Sequence, residues 1–117
     1  SKIATNDIDQ AFLQKAIDYI VANMLDPQLG VDSLADLFNL SRMQVYRKIK
    51  GLTGNSVVDF IRTVRMKEAL KLMETEKFTL SEIAYQTGFN SASYFTTCFK
   101  NHFGKAPSEY LENKSHN

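Results

Sequence analysis

Residues 91–103 read SASYFTTCFKNHF, and residues 41–53 read SRMQVYRKIKGLT. Sliding one onto the other by 50 positions sets Ser91 on Ser41, Phe95 on Val45, Phe99 on Ile49, Lys100 on Lys50 and Gly104 on Gly54. Apolar positions fall on apolar positions. Upstream, Ile83-Ala84 lies over Leu34-Ala35 and Phe89 over Leu40, but there the offset is 49. One extra residue has therefore entered the second copy near Gly88 to Asn90. Downstream, Pro107-Ser108-Glu109-Tyr110-Leu111 falls on Val57-Val58-Asp59-Phe60-Ile61. A unit of roughly 30 residues thus occurs twice, and a repeat governs how the rest of the chain is read.

Each copy has a short apolar-periodic segment, a tight turn, and a longer segment with apolar residues four apart, which is the pattern of helix, turn, helix. In the first copy Ser41 with Gln44 three residues on is a capping-box signature, so the second helix begins there. Gly88 is the natural turn residue of the second copy, because glycine reaches positive φ without steric cost. At about 100° per residue, Val45, Ile49 and Leu52 share one face, and Met43, Tyr46, Arg47 and Lys50 lie on or beside the opposite one. The same arithmetic buries Phe95 and Phe99 and turns Ser93, Thr96, Thr97 and Lys100 outward. The two outward sets occupy the same four positions of the repeat.

With these residues in hand, the chain resembles the AraC/XylS-type DNA-binding domain. The likeness rests on Gly88-Phe89, Ser93-Tyr94-Phe95, Phe99-Lys100, Phe103-Gly104 and Pro107-Ser108-Glu109-Tyr110, and extends over about residues 9–113. It implies an all-α fold of two homeodomain-like helix-turn-helix subdomains joined by a long connecting helix, binding double-stranded DNA for a transcription regulator. More narrowly, YRKIKGLTG and DFIRTVRMKEA are similar to the C-terminal effector domains of hybrid two-component regulators in gut anaerobes, which often control polysaccharide-utilisation genes. On that likeness the parent protein would carry receiver and sensor domains, and would dimerise through regions outside these residues when its receiver is phosphorylated.

Length suits one domain of two small subdomains, and 44% apolar residues suffice for a core. No run of 18 apolar residues occurs and no basic, apolar leader opens the chain, so neither a membrane span nor secretion is expected. The first residues are Ser-Lys, which reads as a fragment of a longer protein. Cys98 is the only cysteine, as suits a reducing cytoplasm. The net charge of +1 hides an asymmetry: residues 1–40 hold two Lys against six Asp, and residues 41–117 hold twelve Lys and Arg against seven acids. Residues 41–71 alone carry Arg42, Arg47, Lys48, Lys50, Arg62, Arg65, Lys67 and Lys71. Positive charge gathered there is what phosphate neutralisation requires. A merely solvated face is the alternative.

In chain order, residues 1–8 are expected to be a disordered segment, with Asp7 and Gln10 capping a helix that buries Phe12, Leu13, Ala16, Ile17, Ile20, Val21 and Met24. It should end before Asp26-Pro27. Asp32 is expected to cap the short helix through Leu34, Ala35, Leu37 and Phe38. Residues 9–55 then form the first subdomain, 56–76 the connecting helix, 77–113 the second subdomain and 114–117 a polar tail. A helix of twenty residues spans roughly 30 Å, close to the roughly 34 Å turn of B-DNA. Two reading helices in successive major grooves are the consequence. Thr79 with Glu82 offers another capping box, and Pro107 suits the first turn of a closing helix to about Glu112.

Arg47 is the first choice for a base contact, because its planar fork grips guanine N7 and O6 together; a phosphate bond is the alternative. Met43 can meet a thymine methyl or pack in the core, and Tyr46 can reach a base or a phosphate. Gln44 is read as capping its own helix. Lys50, Arg42 and Lys48 are assigned to phosphates, which position without specifying. In the second copy Ser93, Thr96 and Thr97 are short hydroxyls facing bases, with Lys100 and Asn101 on phosphates. The resembled family often places longer polar side chains there, so the first unit is expected to supply most of the specificity and the second to anchor and read shape. Tyr94 can stack toward the backbone or pack. Arg62 and Arg65 either touch phosphates or bridge the subdomains.

An enzyme would need a nucleophile, base or metal set. Cys98 flanks the buried Phe95/Phe99 side as an inert thiol, His102 falls on the same inward side, and His116 lies in the tail. Two histidines and one cysteine without ligand spacing make no zinc site. No catalytic residue, metal or cofactor is expected. A helical protein-interaction module is the competing reading, since fold alone assigns no function. Two matching outward faces bearing Arg47, Lys50 and Lys100 and no acid favour DNA. RNA fits less well, because its deep, narrow major groove excludes a helix.

Overall fold

The computed structural model describes residues 2–115, and side chains over residues 6–112. Among the described residues there are seven α-helices and no strand: α1 (Lys2–Ala22), α2 (Val31–Phe38), α3 (Arg42–Thr53), α4 (Val57–Thr75), α5 (Leu80–Gln86), α6 (Ala92–Phe103) and α7 (Pro107–Ser115). The all-α expectation holds. The chain divides into two compact units, the first running through Val64 and the second starting at Arg65, so the division falls inside α4.

In the first unit Phe12, Ala16 and Ile20 recur every four residues along α1 and close one buried stripe against Leu34 and Ala35 of α2, Val45 and Ile49 of α3, and Val57, Phe60, Ile61 and Val64 of α4. Leu13, Ile17, Val21 and Met24 pack around this core partly buried. Each fully buried side chain of this size stabilises by about 1.5–3 kcal/mol relative to exposure. The start of α1 differs from expectation. It begins at Lys2, so residues 2–8 extend the helix and Asp7 stands within it. No glycine or proline interrupts residues 2–22, and nothing in the local propensities stops the helix earlier. Ser1 lies outside the described residues. The helix ends before Asp26-Pro27, as proline requires, with the Asn23 side-chain amide donating to the Tyr19 carbonyl at 2.8 Å.

The cap of α2 is also revised. Gly30 occupies the N-cap, and Ser33 Oγ accepts from the Gly30 N–H and donates to the Gly30 carbonyl, both at 2.9 Å. Asp32 falls inside the first turn instead, where a carboxylate suits the helix dipole but has no capping role. Asn39 then takes φ 54 and ψ 46, and the Leu40 N–H reaches back to the Ala35 carbonyl at 3.0 Å, which ends the helix with a left-handed residue. The Ser41/Gln44 box forms as read: Ser41 Oγ accepts from Gln44 N–H at 3.1 Å, and Gln44 Oε1 accepts from Ser41 N–H at 2.8 Å.

In the second unit Met66, Ala69 and Met73 of α4 meet Ile83 and Ala84 of α5, Phe89 of the turn, and Phe95, Cys98 and Phe99 of α6. The first part of α4 therefore serves one core and the rest serves the other. Ser56 caps this helix, its Oγ accepting from Asp59 N–H at 3.1 Å, and Val57–Thr75 supplies buried side chains to both cores. Thr79 and Glu82 make the expected reciprocal box, at 3.1 and 2.9 Å. Gly88 has φ 87, and Phe89 N–H donates to the Ala84 carbonyl at 2.9 Å. This is the Asn39–Leu40 turn again. Asn90 is the inserted residue, because Leu40 leads straight into the N-cap Ser41 while Phe89 needs one more step to reach the N-cap Ser91. Pro107 opens α7, which reaches Ser115, beyond the expected Glu112. Of the expected tail, residues 116 and 117 lie outside the described residues, His116 among them.

Candidate nucleic-acid interface

Helices α3 and α6 have the same length, 12 residues, and the same ends. Ser41 and Ser91 cap them, and Gly54 and Gly104 close them in left-handed geometry, donating to the Lys50 and Lys100 carbonyls at 2.9 and 2.8 Å. Equivalent positions therefore point to equivalent sides of two matching frames. In α3 Val45 and Ile49 are fully buried, and Met43, Tyr46, Arg47, Lys50, Gln44 and Arg42 are exposed. Met43 is 57% exposed and Tyr46 46%, so Met43 is not a core residue. Gln44 is committed to its own cap. Lys50 Nζ donates to the Gly54 carbonyl at 3.0 Å, which draws the cation over the end of its own helix, where the dipole favours it.

Two of the expected cations are engaged elsewhere. Lys48 is half-buried, with Nζ 4.6 Å from the centroid of the Phe12 ring, and about 100° per residue puts it on the core-facing side of α3, away from Arg47. Arg42 Nε lies 3.1 Å from Asp32 Oδ1, with side chains 72% and 74% exposed. An apolar cleft of about 380 Å³ opens beside these residues, walled by Val31, Met43, Tyr46, Val57 and Val58.

In α6 Phe95, Cys98 and Phe99 are buried, and Ser93, Thr96, Thr97, Lys100 and Asn101 are exposed. Thr96 Oγ1 donates to the Ala92 carbonyl at 2.9 Å and Thr97 Oγ1 to the Ser93 carbonyl at 3.2 Å. Their hydroxyl protons are turned back into the helix, so each presents an acceptor outward. Tyr94 is exposed, with its ring 5.8 Å from that of Phe89. His102, expected inward, is exposed and meets Phe103 edge-on at 4.6 Å. It sits in the last turn of α6, where Phe103 is the partly buried residue packed on the core.

Each arginine of α4 has a local partner. Arg62 Nη1 pairs with Asp59 Oδ1 at 2.9 Å, one turn earlier in the same helix. Arg65 Nη1 donates to the Thr87 carbonyl at 2.7 Å, and desolvation by burial lowers its pKa from the ordinary value. Arg65 and Thr87 both belong to the second unit, so this hydrogen bond is a latch within that unit. Thr87 is wholly buried, its Oγ1 donating to the Ile83 carbonyl at 2.7 Å. Sequence reading missed both Arg65's latch and Asp32's pairing. For Asp32 a signal existed: the repeat places neutral Ser81 over Asp32 and neutral Ala92 over Arg42, so the two charges occur together in one copy and are both absent from the other. Among the described residues no His, Cys, Asp or Glu side chains gather as a metal-holding group, and no helix is long and apolar enough to cross a membrane.

A helix-turn-helix domain family matches residues 34–113. The chain is 37% identical over 110 residues to histidine kinase P4 of Formosa agariphila, covering 94% of this chain and 8% of the kinase. The chain thus spans a small part of that relative's length. Among solved structures, it is similar to the C-terminal domain of AraT, a response regulator from Geobacillus stearothermophilus, with a TM-score of 0.75, 28% identity, and coverage of 87% of this chain and 84% of that one. It is equally similar to the DNA-binding domain of the global transcriptional factor AdpA in complex with a target DNA, with a TM-score of 0.75, 26% identity, and coverage of 86% and 90%. A repeated helix-turn-helix, two capped helices with matching outward faces, and these likenesses lead to one assignment: the chain belongs to the AraC-type helix-turn-helix family of DNA-binding transcription-regulator domains.

Proposed function

We propose that this domain binds double-stranded DNA sequence-specifically, with α3 and α6 entering two half-sites about one helical turn apart, in head-to-tail order, as a single chain. The observation that carries the reading is the pair of helices, each with a serine N-cap and a left-handed glycine C-cap, whose exposed, acid-free faces fall at the same repeat positions, Met43, Tyr46, Arg47 and Lys50 in one and Ser93, Thr96, Thr97 and Lys100 in the other. Both copies run the same way along one polypeptide, which sets the head-to-tail order, and 19 residues of α4 lie between them, roughly 28 Å of helix. Arg47 grips guanine, Met43 and Tyr46 supply apolar and hydroxyl contact beside it, and Ser93, Thr96 and Thr97 face the second half-site. Arg42, Lys50, Lys100 and Asn101 take phosphates, with Arg62 at the margin. The first unit carries most of the base discrimination, because acceptor-only threonine hydroxyls distinguish bases poorly.

The parent is proposed to be a two-component regulator of carbohydrate-utilisation genes acting in the cytoplasm, where its DNA lies. The likeness to a histidine kinase and to a response-regulator domain supports the two-component part. In that parent, phosphorylation of a receiver raises occupancy by dimerisation, through avidity. Selection from a random duplex library at about 0.15 M salt, repeated with Arg47→Ala, tests the domain's part. Two enriched motifs about 10 base pairs apart, with the variant losing preference at one position, are expected. Salt-sensitive binding without enrichment would reduce the domain to charge alone, and no binding would favour a helical protein-interaction module.

A further inference from the structure

We propose that Asp32 is an internal competitor for DNA phosphate: it holds Arg42 in the position a phosphate would claim, and so sets how tightly, and with what salt dependence, the first unit binds any duplex. The inference rests on the DNA-binding reading above. Arg42 is the first residue of α3, next to the outward face, and Asp32 stands in the first turn of α2. Their 3.1 Å contact joins the two helices of one helix-turn-helix, and both side chains are more than 70% exposed. An ion pair this open contributes little to stability. It is therefore cheap to open, and its effect falls on whatever anion approaches Arg42.

The second unit gives the internal contrast. At the equivalent positions stand Ser81 and Ala92, so it has neither the cation nor its restraint. With Asp32 present, moving Arg42 to a phosphate exchanges one anion for another and leaves a carboxylate close to the DNA backbone. Without it, the same arginine neutralises a phosphate outright and releases a condensed counterion, worth about 0.9 in the slope of log affinity against log salt. Asp32 thus acts on affinity uniformly across sequences, because phosphate contacts carry no base information.

The test is a double-mutant cycle read by duplex affinity across a salt series, using one random-sequence duplex and one selected duplex. Asp32→Asn is expected to raise affinity for both duplexes about threefold, the effect of one screened charge several ångströms from a phosphate, and to steepen the salt slope by up to about 0.9. In the Arg42→Ala background the same substitution should do much less, because the competitor has lost its target. Asp36→Asn, which removes an exposed carboxylate one turn along α2, controls for bulk charge and should move affinity less than Asp32→Asn. Unchanged or weaker binding by Asp32→Asn, an undiminished effect without Arg42, or an equal effect from Asp36→Asn would each overturn the proposal. Absence of duplex binding by the unmodified domain would instead overturn the DNA-binding reading on which it rests.

Discussion

The turn at Phe38-Asn39-Leu40 and the turn at Thr87-Gly88-Phe89 have the same backbone and different chemistry. Each ends its helix with a left-handed residue, and each sends an N–H back to the equivalent carbonyl, Leu40 to Ala35 and Phe89 to Ala84. What fastens them differs. Phe38 stacks on Phe12 with centroids 4.1 Å apart, and Lys15 and Lys48 lie over the two rings. Its counterpart Thr87 is buried as a polar residue, its hydroxyl returned to the helix and its carbonyl held by Arg65. The repeat reproduces a path of the backbone and leaves each copy to satisfy it with its own side chains. The same holds outside: one frame displays Met43, Tyr46 and Arg47, the other Ser93, Thr96 and Thr97.

The strongest way to test whether the two units are separately held is in their cores. Phe99, fully buried and in ring contact with Phe95, Phe103 and Tyr110, occupies the position of Ile49. Phe99→Ala is expected to cost about 3–5 kcal/mol, and Ile49→Val only about 0.5–1.5 kcal/mol. Hydrogen exchange should show Phe99→Ala lowering protection in the second unit's amides; an equal loss in the first unit would mean that α4 makes the two unfold as one. Next in size is the latch. Arg65→Met removes the donor at a carbonyl in a buried turn and should cost about 1–3 kcal/mol, whereas Phe38→Leu forfeits an aromatic pair worth about 0.5–1.5 kcal/mol. Urea melts that find Arg65→Met neutral would show that the Thr87 carbonyl needs no fixed partner. The difference in the turn residues themselves is of about the same size. Gly88→Ala places a Cβ at φ 87 and should cost about 1–2 kcal/mol; Asn39→Gly should stay within about 0.5 kcal/mol, since asparagine already tolerates this geometry. Equal thermal shifts for the two would mean that the turns differ in strain as well as in chemistry.

Much of this molecule could be read from residue order because its determinants are local. Caps such as Ser41/Gln44 and Thr79/Glu82 act over three residues, the apolar faces of α3 and α6 follow from a 3.6-residue period, and the repeat offset placed the inserted residue near Gly88 to Asn90. Several readings were revised. Residues 2–8 were expected to be disordered, although nothing in them opposes a helix. Asp32 was given a cap that Gly30 and Ser33 make. Lys48 was assigned to a phosphate, and in the structure its ammonium lies over Phe12. His102 was set inward where the helix is about to end.

By itself the sequence determined the helices, the caps of α3 and α5, the repeat and the two outward faces, because hydrogen-bonding and hydrophobic periods are written into neighbouring residues. Only the tertiary structure decided which partner each long charged side chain takes: Lys48 on Phe12, Arg42 on Asp32, Arg65 on Thr87. Side chains of this length reach several positions from one backbone site, and the choice among them depends on which distant residues folding brings within about 3 Å of a charged donor, or an aromatic ring within about 6 Å of a cation.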